Sequence, residues 1–299
     1  MKGSTESPEV DMMPGQDLLP AAGSQKVVIE ATHGLASLKL GLVWEYRELL
    51  YFMVWRDIKV RYKQTFLGIL WVLLQPLVSI IVFSVLFGYL LAVPSGDVPY
   101  PIFLYSALLP WTYFSTSLTR STTGVVNSSH LITKVYFPRL VIPISGVLSG
   151  FIDFAIAFVI LIGLMLVYQI NPTPNIVFLP GFILLAMLTA LAFGLWLSAL
   201  NVRFRDVNYM LPFLVQVWMY LTPVVYGSNL IPEPYRFLLA LNPMTGVVAG
   251  FRWALLGDYL ADAAPPDELF PISMAITLVV LISGIVFFRT TERTFADII

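Results

Sequence analysis

The sequence contains no cysteine, and only 12% of its 299 residues are charged. Without cysteine there is no disulfide, no thiolate ligand for a metal and no cysteine nucleophile. The two histidines, His33 and His130, lie far apart in the chain, so no metal site is predicted. Soluble domains carry about a quarter charged residues, and this chain therefore has too few charges to cover a soluble surface.

Apolar residues take the place of the missing charges, at 58% of the chain with a mean hydropathy of +0.82. This composition predicts an all-α integral membrane protein, because a helix satisfies its own backbone polar groups inside a bilayer. A crossing needs about 20 mainly apolar residues. Six segments approach that length: Ile69–Val93, Ile102–Thr122, Ile142–Tyr168, Ile176–Leu200, Tyr209–Tyr226 and Pro271–Phe288.

The second and fifth of these spans carry the weakest signal. Pro110 is expected to break the second, whose C-terminal half is rich in serine and threonine. Pro212 and Pro223 interrupt the fifth. Membranes tolerate such segments where neighbouring helices or a water-filled cavity satisfy the loosened backbone.

The positions of the basic residues predict the orientation of the spans. With a cytoplasmic N-terminus, six spans place every lysine and arginine except Arg236 and Arg252 in cytoplasmic segments, as the positive-inside rule requires. Both termini are then cytoplasmic. Residues 1–40 are expected to form a largely disordered tail, with a short strand over Lys26–Glu30, and residues 291–299 the C-terminal end.

Residues 41–66, ahead of the first span, alternate aromatic and charged residues too closely for a membrane crossing. They predict an amphipathic helix in the membrane interface, aromatic on one side and basic on the other. The alternative is a helix packed on a soluble domain, but no soluble domain is evident elsewhere in the chain.

Sequence motifs for enzymatic chemistry are absent. No GxxxxGKS/T loop occurs, so the chain is not expected to bind and hydrolyse ATP. GxSxG and HExxH motifs are also missing, and no catalytic residue is predicted. Energy for any transport must therefore come from a partner or from a gradient.

The segment between the second and third spans combines basic and aromatic residues. Asn127 or Ser128 can cap a short helix there, and Pro138 is expected to end it. Such a helix at the membrane surface suits docking in a groove of a soluble partner. A connecting loop anchored by its aromatic residues explains the composition equally well.

Asp153 is the one acidic residue deep in a predicted span. A charge at this depth costs several kcal/mol, so we expect it to face a cavity or a serine, threonine or arginine partner. Proton coupling is the alternative, although no relay of further titratable groups accompanies it.

Four segments together resemble the polysaccharide-exporting branch of the type-two ABC permeases, the membrane subunits that export O-antigen, teichoic acid or capsule. The resemblance covers about residues 41–290. The segments are RDIKVRYKQTFLGILWVLLQPL from Arg56, KVYFPR from Lys134, NVRFRDV from Asn201, and TPVVYGSNLIPEPYRFLLALNPMTGVVAGFRWALLG from Thr222.

The resemblance implies a homodimer with six spans per copy over residues 69–290, resting on two copies of a separate ATPase that binds ATP and Mg. The expected cargo is lipid-linked polysaccharide, in the first place O-antigen on undecaprenyl pyrophosphate, exported across the bacterial inner membrane. Other cargoes remain open, among them teichoic acid, capsule, lipids and drugs. A membrane-embedded glycan-modifying enzyme is a further alternative, and no nucleic-acid partner is expected.

The resemblance also implies roles for two cytoplasmic sets of residues. An entrance for the lipid pyrophosphate would use Arg56, Lys59, Arg61 and Lys63, with Gly68 turning the chain into the membrane; these cations could equally fix topology and bind anionic lipids. The coupling helix to the ATPase would be the segment 127–138. The residues singled out in and beside it are Asn127, Ser128, His130, Leu131, Lys134, Tyr136, Phe137, Pro138 and Arg139.

The resemblance implies two further sets of residues, one along the translocation path of the polysaccharide and one at its outer end. Aromatic side chains of the first and fifth spans would stack on sugar rings, or else form ordinary interface belts; they are Trp71, Phe83, Phe87, Trp218, Tyr220 and Tyr226. Residues 227–258 would form a re-entrant outer gate, or else a structured loop. The residues predicted to belong to this gate are Gly227, Pro232, Pro234, Arg236 and Pro243.

Overall fold

The computed structural model describes residues 40–63, 66–260 and 270–295, and every regular element in these ranges is a helix. The all-α class predicted from composition is confirmed for this part of the chain. The predicted tail up to residue 39, with its strand at Lys26–Glu30, lies outside the described residues. So do residues 296–299 of the predicted C-terminal end.

Eleven α-helices follow one another through the described ranges. In chain order they are α1 Leu40–Glu45, α2 Arg47–Lys63, α3 Phe66–Phe83, α4 Tyr100–Asn127, α5 Ser129–Lys134, α6 Val141–Val167, α7 Leu179–Arg203, α8 Val207–Leu221, α9 Arg236–Ala240, α10 Pro243–Leu256 and α11 Phe270–Thr291. A π-helical turn over Ser84–Leu90 extends α3, and a 3-10 turn over Pro174–Phe178 leads into α7.

Four helical stretches are long and apolar enough to cross a membrane: Leu73–Leu90, Val141–Val167, Pro174–Arg203 and Phe270–Thr294. They correspond to the first, third, fourth and sixth predicted spans. A fifth is reached if α9 and α10, which meet at a bend of 103°, form one broken span. The described residues therefore belong to a multi-pass membrane protein with four or five apolar candidate spans.

The two weak spans differ from the prediction in opposite ways. Pro110 does not break the second, because α4 runs without interruption from Tyr100 to Asn127, held between α6 and α7. Packed neighbours of this kind tolerate a proline within a membrane helix. The fifth is shorter than predicted, since α8 has 15 residues and ends at Leu221 rather than Tyr226. Thr222 is extended, as residues before proline usually are.

The interfacial segment is also divided differently from the prediction. Two helices replace the single one expected over 41–66, with Tyr46 between α1 and α2. Apolar and charged side chains are not separated onto opposite sides of α2: Phe52 and Trp55 are exposed together with Arg56. α2 packs on α6 through a narrow strip, where Met53 is buried, so the apolar residues outside that strip stay exposed.

The buried side chains form two clusters. The larger surrounds α4, which lies against α6, α7 and α10, and it includes Tyr105, Phe114 and Phe251. The smaller lies at the C-terminal end of α4 and joins Val125 with Phe137 and Phe288. This second cluster ties α2, α11 and the segment after α5 to the same end of the helix bundle.

Candidate functional site

The side chain of Asp153 in α6 accepts hydrogen bonds from three residues on two other helices. Arg61 of α2 places its Nη1 atom 2.8 and 2.6 Å from the two carboxylate oxygens. Arg120 of α4 places its Nη2 atom 2.5 Å from Oδ2. The hydroxyl of Tyr62 also donates to Asp153. The arginine partner predicted for this intramembrane acid is thus present twice.

A cavity of about 180 Å³ opens beside this cluster, between α2, α3, α4 and α6. Among the described residues that line it, Arg61, Arg120 and Asp153 are charged, which leaves one net positive charge. Gln75 and Ser79 add polar groups from α3. Arg120 and Gln75 were not predicted as site residues. Arg120 was counted with the cytoplasmic cations, although it lies in the serine- and threonine-rich half of the predicted span Ile102–Thr122.

A stripe of hydroxyl groups continues from the cavity along α4. Thr112, Thr116, Thr119 and Thr123 are spaced three or four residues apart and therefore share one face of the helix. Three of their hydroxyls donate to carbonyl oxygens four residues earlier in the same helix. Thr112 and Thr119 are exposed. Hydroxyl groups that donate to the backbone in this way still offer their oxygen lone pairs to water or to a polar ligand.

The four cations predicted at the entrance do not form one cluster. Arg56, Lys59 and Lys63 share a face of α2, and Arg56 pairs with its neighbour Asp57 at 2.9 Å. Arg61 points the other way, toward α6. The prediction that Gly68 forms a turn is wrong, because α3 begins at Phe66 and Gly68 lies inside it.

The coupling segment contains a helix shorter than the predicted 127–138. Asn127 is the last residue of α4, and Ser128 precedes α5 without a capping hydrogen bond from its side chain. Pro138 does not end the helix, because α5 stops at Lys134 and Val135 is already extended. The backbone N–H of Ser128 bonds to carbonyls of α4, so the two helices follow one another directly.

This segment has a buried side and an exposed side. Ile132, Phe137 and Pro138 are buried, and Leu131 is half-buried against the smaller cluster. The guanidinium of Arg139 donates to the backbone carbonyl of Glu292 and lies 5.8 Å from the centre of the Phe295 ring. The predicted coupling residues that are exposed are Asn127, His130, Lys134 and Tyr136.

The predicted stacking aromatics have different surroundings. Trp218 is packed between Phe114 and Phe193, with ring centroids 5.0 and 4.8 Å away. Its ring therefore serves packing within the chain. Tyr220 is 49% exposed, and its carbonyl accepts a hydrogen bond from the hydroxyl of Tyr226.

Two other predicted stacking residues, Phe83 and Phe87, contact each other at a centroid distance of 5.9 Å, and both are half-buried. The side chain of Trp71 lies outside the described part of the structure. Tyr220 is thus the most exposed of the five predicted stacking residues whose side chains are described.

The predicted gate segment consists of short elements. Gly227 precedes a 3-10 turn, and Pro232 and Pro234 surround the start of a second one. Arg236 begins α9 and donates through Nε to the Ile231 carbonyl at 3.2 Å. Pro243 is the first residue of α10, which follows at the 103° bend.

Arg252 of α10 was predicted only as an outer cation, yet it is buried at the end of α8. It donates to the carbonyls of Pro223 and Tyr226 at 2.8 and 3.1 Å, and to that of Val224 at 2.7 Å. Tyr100 donates to the remaining carbonyl, that of Val225, at 2.7 Å. Four consecutive carbonyls of a non-helical segment are thereby satisfied.

The sequence profile of the ABC-2 type transporters matches residues 48–256, a range that contains both the Asp153 cluster and the bent pair α9–α10. The chain belongs to the ABC-2 type transporter family. The family predicted from the four sequence segments is therefore confirmed. Members of this family are transport proteins, in agreement with the prediction of a transport subunit rather than an enzyme.

Relatives of this ABC-2 family member match it over most of their length. The O-antigen export system permease protein RfbA of Myxococcus xanthus is 32% identical over 258 residues, which is 85% of this chain and 96% of the relative. RfbA of Klebsiella pneumoniae is 28% identical, over 84% of this chain and 95% of the relative. The polysialic acid transport protein KpsM of Escherichia coli is 26% identical, over 80% and 91%.

Proposed function

We propose that the chain is the permease subunit of an ATP-driven exporter that moves lipid-linked O-antigen, carried on undecaprenyl pyrophosphate, across the bacterial inner membrane. The observation that carries the proposal is the match over 96% of the length of an O-antigen export permease. Capsule is the second cargo class, because the polysialic acid transport protein matches at lower identity, 26%.

The proposed architecture has six spans with both termini in the cytoplasm. The helices α4 and α8 are the second and fifth spans, and both have features that suit a polar path. α4 is long enough to cross, and its hydroxyl face suits contact with water. α8 is about 22 Å long at 1.5 Å per residue. Residues 222–226 extend it, and the carbonyls of residues 223–226 have hydrogen-bond donors.

The proposed path lies between two copies of the chain. The threonine stripe of α4 offers oxygen atoms that bond sugar hydroxyls without regard to their sequence. The exposed ring of Tyr220 adds a stacking surface of the kind that tolerates varied ligands. Both features suit a polymer that slides past, rather than one that is held at a single register.

Two copies of a separate ATPase, which bind ATP and Mg, drive the proposed transport. The exposed residues His130, Lys134 and Tyr136 dock into the ATPase, while Ile132 and Phe137 join that contact to the buried cluster at the end of α4. A displacement of α5 thus reaches α4 and α11. At the opposite end, α9 and α10 form the outer gate.

The experiment is to co-express the chain with its ATPase, purify the complex, and measure ATP hydrolysis with and without lipid-linked O-antigen. Undecaprenol and a lipid-linked capsule glycan serve as control ligands. We expect stable co-purification and the strongest stimulation by O-antigen. The proposal fails if no ATPase co-purifies, or if undecaprenol stimulates hydrolysis as strongly as the glycan.

A further inference from the structure

The cavity beside Asp153 is lined by the donors of an anion site, and the carboxylate of Asp153 pairs with them. Arg61 and Arg120 reach this carboxylate from two different helices. An arginine fork suits two oxygens of a carboxylate or a phosphate equally well. The site therefore recognises an oxyanion, and in this structure Asp153 supplies it.

Donor capacity remains next to this carboxylate. The Nη1 atom of Arg120 and the hydroxyl of Ser117 are buried without a hydrogen-bond partner among the described residues. Gly150 packs closely on both groups, since a Cβ atom there would lie 2.6 Å from the Ser117 hydroxyl and 3.4 Å from Nη1. A buried donor that lacks an acceptor is costly. Arg120 lines the cavity, so an oxyanion bound there can supply the acceptor that its Nη1 atom lacks.

Charge and size limit the class of ligand. The described lining residues carry one net positive charge, which favours an anion. The volume, about 180 Å³, is smaller than the roughly 300–1,000 Å³ of pockets for drug-sized molecules. The cavity thus accommodates a phosphate or diphosphate group but not a sugar chain.

We propose that the diphosphate of a polyprenyl carrier enters this cavity and takes Arg61 and Arg120 from Asp153. The inference rests on the proposed function, because it assigns a place to the headgroup of that cargo. Asp153 holds the two arginines while the site lacks cargo. Once the diphosphate is bound, the nearby carboxylate repels it and so promotes its release.

The exchange also acts on the entrance helix. Arg61 and Tyr62 are the residues of α2 that bond to α6 through Asp153. When Arg61 turns to the diphosphate, this ion pair between α2 and α6 is broken. Arrival of the headgroup is thereby transmitted to α2, which precedes the first span directly.

The test measures the affinity of the full-length chain, in complex with its ATPase in nanodiscs, for undecaprenyl diphosphate. Undecaprenol, inorganic diphosphate and phosphatidylglycerol are titrated in parallel to separate the headgroup from the chain, from the free anion and from bulk lipid. We expect the undecaprenyl diphosphate to bind most tightly. Equal affinity for undecaprenol or phosphatidylglycerol would overturn the inference.

The direction in which the affinity changes in variants distinguishes a binding role of Asp153 from a structural one. Asp153→Asn removes the competing charge and is expected to tighten binding about tenfold, whereas Arg120→Gln is expected to weaken it about tenfold. The exposed Arg205, changed to Gln, is the matched control and is expected to leave the affinity unchanged. A purely structural Asp153 predicts the opposite sign, with affinity and thermal stability falling together in Asp153→Asn.

If Arg120→Gln does not yield folded complex, Gln75→Leu tests the same cavity from α3 and is expected to weaken binding about threefold; an unchanged affinity contradicts the inference.

Different results would contradict the exporter proposal and the headgroup-site proposal. If O-antigen stimulates ATP hydrolysis while Asp153→Asn and Gln75→Leu bind like the wild type, the headgroup site is wrong and the exporter stands. If no glycan stimulates hydrolysis, the exporter proposal fails whatever the headgroup affinity.

Discussion

The indole N–H of Trp218 in α8 donates a 2.8 Å hydrogen bond to the side-chain oxygen of Asn242, the residue that caps α10. The same oxygen accepts from the backbone N–H of Met244, and the Asn242 amide donates to the Thr222 hydroxyl at 2.8 Å. One side chain therefore joins the end of α8 to the start of α10.

Asn242→Ala is expected to lower the free energy of unfolding by about 2 kcal/mol, since it removes a helix cap and two further hydrogen bonds. Thr222→Val keeps the shape but removes the acceptor for Asn242 and the hydroxyl that donates to the Trp218 carbonyl, and is expected to cost about 1 kcal/mol. Chemical unfolding of the purified protein in detergent measures both. Equal losses in the two variants would contradict the inference that the Asn242 side chain joins α8 to α10.

Replacement of Arg252 is expected to lower the free energy of unfolding more than replacement of Arg236, the other arginine predicted to lie outside. Arg252→Met leaves two buried carbonyls and one partly buried carbonyl without this donor, and we expect a loss of about 3 kcal/mol. Arg236→Met removes the single described bond to the Ile231 carbonyl, with an expected loss of about 1 kcal/mol. Proteolysis at residues 222–226 provides a local readout, which should increase in the first variant alone.

Gly284 marks a close approach of α11 to α7. A Cβ atom at this position would lie 2.9 Å from the backbone carbonyl of Ala192, so Gly284→Ala is expected to destabilise the protein by about 1–3 kcal/mol. Gly163 of α6 has open space around it, and Gly163→Ala is expected to stabilise by up to about 1 kcal/mol through helix propensity. Thermal unfolding midpoints should therefore move in opposite directions.

The two sides of the coupling segment predict separable phenotypes. Tyr136 is 77% exposed, so Tyr136→Ala should leave the stability of the isolated permease unchanged and reduce co-purification with the ATPase. Phe137 is buried, and Phe137→Ala should destabilise the permease itself by about 3 kcal/mol. An ATPase contact that survives Tyr136→Ala unchanged would argue against docking through this surface.

Hydropathy predicts the apolar helices well because their sequence signal is local and repeated over many residues. The third span, predicted at Ile142–Tyr168, is α6 within one residue at each end. Proline is a weaker guide, since its effect depends on neighbours. Pro110 lies inside a continuous helix, whereas Pro223 follows a helix end.

The contacts that define the site could not be read from the sequence. Asp153 predicted a partner, but Arg61 lies 92 residues away and Arg120 33 residues away, so the choice among arginines depends on how the helices pack. The role of Arg252 was hidden for the same reason. Its acceptors are backbone carbonyls, which carry no residue-specific signal.

The bonds of Arg252 also set an order of events during biosynthesis. Arg252 follows Pro223 by 29 residues, so three carbonyls at the end of α8 are made well before their donor. Backbone groups without partners are unstable in hydrocarbon. The segment after α8 therefore gains these three hydrogen bonds only after Arg252 of α10 has been synthesised.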